Sequence, residues 1–247
     1  MTELDGMMKH QFAAYDFNLN YIGSHKGSDF LSEIRGSDAF LLDTNSAGVK
    51  IAREFPLMMF VLGRTVMVET ENPFGAHIKP EKVADLNNLY VFETLENNRG
   101  FVLGCVNEDY ISKFCDMPKA LSDLTQEERD EFNSPKPRAE LLGIAADERK
   151  KPVKQRKCEI ENMLRQSLGY FSCAKIALKA YSLYLDAPSR KQRKELEKVQ
   201  SNHPNALGDT YLVQEALFLG LPILSDDSDV RAIAGFAGVE VVSRECL

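Results

Sequence analysis

The chain has 247 residues, 44% of them hydrophobic and 27% charged, with a formal net charge of −7. That composition is ordinary for a soluble globular protein of one large or two small domains, and the acidic balance argues against a protein that coats nucleic acid generally. The longest apolar run, 56–62, is far short of the ~20 residues a membrane span needs.

The opening Met1-Thr2-Glu3-Leu4-Asp5 lacks the basic and apolar regions of a signal peptide. The five cysteines are odd in number and show no Cys-x-x-Cys pairing, which suits a reducing compartment and argues against a zinc site. The four histidines form no metal-ligand spacing. These features together lead to the expectation of a cytoplasmic protein with no membrane association.

Taken in chain order, residues 1–38 read as an extension that packs as an extra helix or arm. A short apolar run, Ala39-Phe40-Leu41-Leu42, then stops abruptly at Asp43-Thr44-Asn45. Such a stop is the pattern of a buried parallel strand delivering an acid to the carboxyl edge of its sheet, where ligands collect. A second apolar run, Val66-Met67-Val68, is followed by Glu69 and Glu71, and the next strand is expected around Gly100 to Val106. Thr125 with Glu128 forms a capping box for a short acidic helix, and prolines at 135, 137 and 152 mark breaks.

From about 157 to 185 the apolar residues Ile160, Met163, Leu164, Leu168 and Phe171, with those of 174–178, recur at helical spacing. The spacing predicts one long core helix there, ended by Asp186-Ala187-Pro188. Ser189 is then placed to cap a basic helix running to Val199. Farther on, Asp209 stands where an N-cap or first-turn acid belongs, before about three helical turns over 211–219. Gly220 stops that helix. The strand Pro222-Ile223-Leu224 ends in Ser225-Asp226-Asp227-Ser228-Asp229. A helix antiparallel to its following strand brings Asp209 beside Asp227, and Asp43 joins them if its strand lies parallel and adjacent. Singly, each acid has a plainer use as a loop residue, an N-cap or a solvated turn. Gathered at one edge they would repel one another unless a cation neutralised them.

These motifs, Asp43-Thr44-Asn45, then Asp209, then Ser225-x-Asp227-x-Asp229, resemble in order those of the PIN-domain nuclease family over 39–71 and 203–243. The resemblance implies an α/β fold with a small parallel sheet flanked by helices. It divides the chain into an N-terminal extension (1–38), a PIN-like core (39–75 and 156–247) and a central insertion (76–155). It also implies Mg²⁺ or Mn²⁺ held by Asp43, Asp209, Asp227 and Asp229, for metal-dependent hydrolysis of phosphodiester bonds. Such ions take oxygen ligands and can activate water in line with a leaving oxygen. The family's second acid is matched by Glu71, in the turn before Pro73, with Glu69 as the alternative. Thr44, Asn45 and Ser225 are then donors that orient carboxylates or touch phosphate.

The basic runs supply phosphate-contact candidates: Lys150, Lys151, Lys154, Arg156 and Lys157 in one, Arg190, Lys191 and Arg193 in the other. The expected function is a nuclease acting on RNA in preference to DNA, of a toxin, defence or processing type. An inhibitory protein partner or a homo-oligomer fits the resemblance. The alternatives are a flap-type DNA nuclease and a PIN-like module that binds RNA or protein without cutting. A phosphatase of the Asp-x-Asp type fits poorly, because Asn45 occupies the second acid's place.

Overall fold

The computed structural model describes residues 12–15, 21–25, 38–46, 48–69, 88–94, 101–105, 135–166, 169–187, 189, 191 and 205–247. Glu71, Arg190, Arg193, His203, Val199 and the Thr125–Glu128 capping box lie outside the described residues. In chain order come β1 (Phe12–Tyr15), β2 (Tyr21–His25), β3 (Ala39–Leu42), α1 (Val49–Glu54), β4 (Met59–Leu62), α2 (Arg64–Glu69), β5 (Leu89–Thr94) and β6 (Phe101–Cys105). The second half holds α3 (Pro135–Arg149), α4 (Val153–Arg165), α5 (Tyr170–Asp186), α6 (Asn205–Leu219), β7 (Ile223–Leu224), α7 (Ser228–Ala237) and β8 (Val241–Val242).

One sheet runs in the order β2-β1-β6-β5-β4-β3-β7-β8. Its middle and one edge, β5-β4-β3-β7-β8, form a parallel five-stranded sheet. Parallel strands covered by helices on both faces are apolar without alternation. Leu41, Leu42, Phe60, Val61, Leu62, Leu89, Ile223 and Leu224 are accordingly all fully buried. Helix α5 is the hub of the helical layer, packing against α3, α4, α6 and α7. The fold class is therefore α/β, with a parallel sheet flanked by helices.

The strand order places a topological switch between β3 and β7. From β3 the chain steps to β4 and then β5 on one side, and from β7 it steps to β8 on the other. The crevice outside the carboxyl ends of strands at such a point is where open α/β sheets bind ligands. Register puts Leu42 beside both Leu62 and Leu224, so Asp43, Gly63 and Ser225 leave the sheet side by side.

Several elements differ from the sequence expectations. Residues of the N-terminal extension supply β1 and β2 to the sheet rather than a helix. Val66, Met67 and Val68 belong to α2; the second strand of the parallel sheet is β4, the latter half of the long apolar run. Local preference for β structure in Val-Met-Val is overridden here because β4 ends at Gly63 and helix begins at Arg64. The long helix of 157–185 is two helices, with Gln166 extended and Gly169 heading the second. Phe171, assigned to the apolar stripe, is exposed. Parts of the central segment read as an insertion are integral to the sheet, since β5 pairs in parallel with β4.

Asn88 fixes the entry to β5. Its buried amide donates to the carbonyls of Ala52 (2.9 Å), Phe55 (3.1 Å) and Met58 (2.9 Å), closing the α1–β4 connection. Asn88→Ala leaves these acceptors without their donor. It is expected to lower the unfolding free energy by about 1–3 kcal/mol, measured by urea denaturation with an unchanged m-value.

Candidate active site at the carboxyl edge of the sheet

Asp43 follows β3 and is only 6% exposed. Its backbone N–H continues the sheet by donating to the Leu224 carbonyl. Its carboxylate is tied down on both oxygens: Oδ1 accepts from the Thr44 N–H at 2.7 Å, and Oδ2 accepts from Ser225 Oγ at 2.6 Å. Asn45 Nδ2 lies at 3.5 Å from Oδ2.

Ser225, fully buried at the end of β7, works in both directions. It donates to Asp43 and accepts from the Asp227 N–H at 3.0 Å. Asp227 is the N-cap of α7, its Oδ1 accepting from the Asp229 N–H at 2.7 Å. One chain of hydrogen bonds thus fixes Asp43, Ser225, Asp227 and the Asp229 backbone across two adjacent strands. Burial raises the Asp43 pKa above its ordinary value. The hydrogen bonds from Ser225 and Thr44 oppose that shift, and the charges of Asp227 and Asp226 add to it. Asp226 itself is exposed and accepts from Ser243 Oγ, beyond the end of β8.

Asp209 approaches from the helical layer. Helix α6 begins at Asn205, so Asp209 lies inside the helix and is not its N-cap. Gly208 costs a helix about 1 kcal/mol relative to Ala, which the burial of Leu212, Val213, Ala216 and Leu219 outweighs. Asp209 and Asp229 converge on α5. The Tyr184 hydroxyl hydrogen-bonds the Asp229 carboxylate, and burial together with the Asp229 and Asp209 charges raises its pKa. Tyr181, one turn away, is pushed up to about 12, first by burial and then by Asp209, against the opposing charge of Arg149. Both phenols are protonated at neutral pH and act as donors.

Three participants were not legible as site residues. Tyr181 and Tyr184 belong to an apolar stripe, and only the docking of α5 against α6 and α7 reveals them. Glu215 of α6 is buried, accepts from the Thr65 N–H at 3.1 Å, and lies against Gly63 at the end of β4. A Cβ on Gly63 would stand 1.9 Å from Glu215 Oε2, so that position requires glycine. A glutamate among the apolar residues of a helix was the available signal. Of the two second-acid candidates, Glu69 is the last residue of α2.

The basic run divides. Arg156 is buried; its guanidinium donates to the Ser182 carbonyl and hydroxyl, both at 3.1 Å, and pairs with Asp186. It therefore clamps α4 to α5 and is withdrawn from the phosphate-contact candidates. Arg149 binds the same carboxylate at 2.7 Å. Lys150 pairs with Asp147, and Lys151 with Glu148 and Glu159, while Lys154, Lys157 and Lys191 are exposed. Arg156→Ala is expected to lower stability by about 3 kcal/mol, the low end for breaking a buried pair, because Asp186 keeps Arg149 and some water. Chemical denaturation beside Lys154→Ala, which should change stability by less than about 0.5 kcal/mol, tests the distinction.

Among the described residues no three Asp, Glu, His or Cys side chains stand close enough together to enclose a metal ion. No helix among them is long and apolar enough to cross a membrane. No protein-family model, curated protein or solved structure matches the chain.

Proposed function

We propose that the crevice at the β3–β7 switch is a divalent-cation site, and that the chain is a metal-dependent nuclease with a PIN-like core, acting on RNA in preference to DNA. The observation that carries this reading is Asp43: a buried carboxylate at the switch point, held in one orientation by Ser225 and Thr44, with Asp227 and Asp226 acting on it as like charges. A cation relieves that repulsion. The donors are all hard oxygens, which fits Mg²⁺ or Mn²⁺. One or two carboxylates with water and substrate phosphate suffice for such an ion, so a three-acid cage is not required.

In this reading Asp43 and Asp227 bind the ion directly, and Asp209 and Asp229 bind or orient its water on the α5 side. Bound there, Mg²⁺ or Mn²⁺ would supply charge neutralisation and a water of lowered pKa for phosphodiester hydrolysis. Ser225 and Thr44 keep the Asp43 lone pairs directed, and exposed Lys154 and Lys157 attract the phosphate backbone from outside. A second reading, a PIN-like module that binds without cutting, draws support from the lack of a three-acid group among the described residues.

Incubation of purified protein with total RNA and with single-stranded DNA, in Mn²⁺, Mg²⁺ or chelator, separates them. Metal-dependent cutting of RNA is expected. Cutting of DNA alone would transfer the assignment to a DNA nuclease, and binding without cutting would favour the module.

A further inference from the structure

The two phenols facing the acids have no role in the reading above. Tyr181 and Tyr184 stack on each other along α5, ring centroids 6.2 Å apart and planes 22° apart. Helix α5 is the element that packs against both α6, which carries Asp209, and α7, which carries Asp229. Tyr184 is 9% exposed and is hydrogen-bonded to Asp229. Tyr181 is fully buried, and its hydroxyl has no hydrogen-bond partner among the described residues. Asp209 lies near enough for its charge to act on both. Buried hydroxyls are nearly always satisfied, by protein or by ordered water. An unsatisfied one facing a carboxylate marks a place for a further oxygen atom.

We infer that Tyr184 and Tyr181 complete the cation site: Tyr184 is a positioning residue that holds the Asp229 carboxylate, and Tyr181 donates to a water in the hydration shell of the bound divalent ion. The inference rests on the cation reading proposed above. Mg²⁺ keeps several of its waters when bound by protein, and a buried donor beside Asp209 orients one of them without contributing charge. Neighbours of this kind, which act through the ligands, typically alter metal affinity 10–100-fold when removed.

Terbium(III), a hard oxygen-seeking ion, tests this without any assay of cleavage. The chain has eight tyrosines and no tryptophan, so tyrosine excitation followed by terbium emission reports a phenol close to the ion. Wild type should give sensitised emission that Mn²⁺ competes away and that Asp43→Asn lacks. Tyr184→Phe and Tyr181→Phe, which keep the rings, should each cut that emission severalfold. Each should also weaken Mn²⁺ binding about 10-fold by calorimetry. Tyr184→Phe alone carries the test if Tyr181→Phe does not fold.

Unchanged emission and unchanged Mn²⁺ affinity in both variants would overturn the inference and leave the cation reading standing. No binding of either ion to wild type would overturn both. Weakened Mn²⁺ binding with emission intact would remove the proximity of the phenols to the ion, and the inference with it.

Discussion

Asp43→Asn is expected to abolish metal-dependent cleavage, by on the order of 10²–10³-fold or more, the scale seen when one preorganised group acting on a transition state is removed. The same substitution is expected to leave the metal-free protein as stable as wild type, or more so. Asn can reproduce the local bonding: its oxygen accepts from the Thr44 N–H, and its amide donates to Ser225 Oγ. What it removes is a buried charge. Because burial raises the folded-state pKa of Asp43 above the ordinary value of 3.8, the native state binds this proton more tightly than the unfolded chain does.

The stability associated with that proton is full below 3.8 and is lost as pH rises through the folded pKa. In chelator, wild type should therefore lose stability relative to Asp43→Asn as pH climbs above 3.8. Addition of Mn²⁺ should reverse the order. A ligand at 100 times its dissociation constant stabilises by about 2.7 kcal/mol, and only the protein with Asp43 intact should gain it. Thermal unfolding of both proteins across pH, with and without Mn²⁺, reads all of this. A variant that cuts normally, or that gains as much from Mn²⁺ as wild type does, would remove Asp43 from the site.

Asp43 was legible because its signal is local. An apolar run buried on both faces must stop where the sheet stops, and a polar residue at that stop emerges at the carboxyl edge. The same logic applies to Ile223-Leu224 before Ser225, and to Gly220, whose φ of 69° suits the glycine that ends α6. The parallel pairing of β3 with β7, on which the meeting of Asp43 and Asp227 depended, is present.

The failures are non-local. Nothing within Val66-Met67-Val68 says that the neighbouring strand has already been supplied by Met59–Leu62. Nothing around Arg156 says that Ser182 and Asp186 will meet it, so a buried clamp read as part of a basic surface. The helix around Asp209 starts earlier than its capping pattern suggested, because burial of α6 outweighs the local weakness of Gly208. Tyr181, Tyr184 and Glu215 acquire their neighbours only when α5 and α6 dock, and their apolar surroundings in sequence concealed them.

Asp227 carries two separable functions, and two substitutions divide them. Its carboxylate faces Asp43 as a like charge, and its Oδ1 caps α7 by accepting from the Asp229 N–H at 2.7 Å. Asn is as good an N-cap as Asp, so Asp227→Asn keeps the start of α7 and removes only the charge. Its stability should stay within about 0.5 kcal/mol of wild type, since the lost interaction with the helix dipole is offset by relief of repulsion with Asp43. Asp227→Ala removes the cap as well and should cost about 1 kcal/mol more.

If the charge serves the cation, both variants should lose cleavage to a similar extent, on the order of 10²-fold, although only one of them loses stability. If the residue serves only to cap α7, Asp227→Asn should cut like wild type and the Ala variant should lose activity only in proportion to its unfolding. Activity and unfolding free energy measured on the same two preparations decide between them. The second result would leave Asp43 without a partner across the β3–β7 switch and shift the balance toward a module that binds nucleic acid without cutting it.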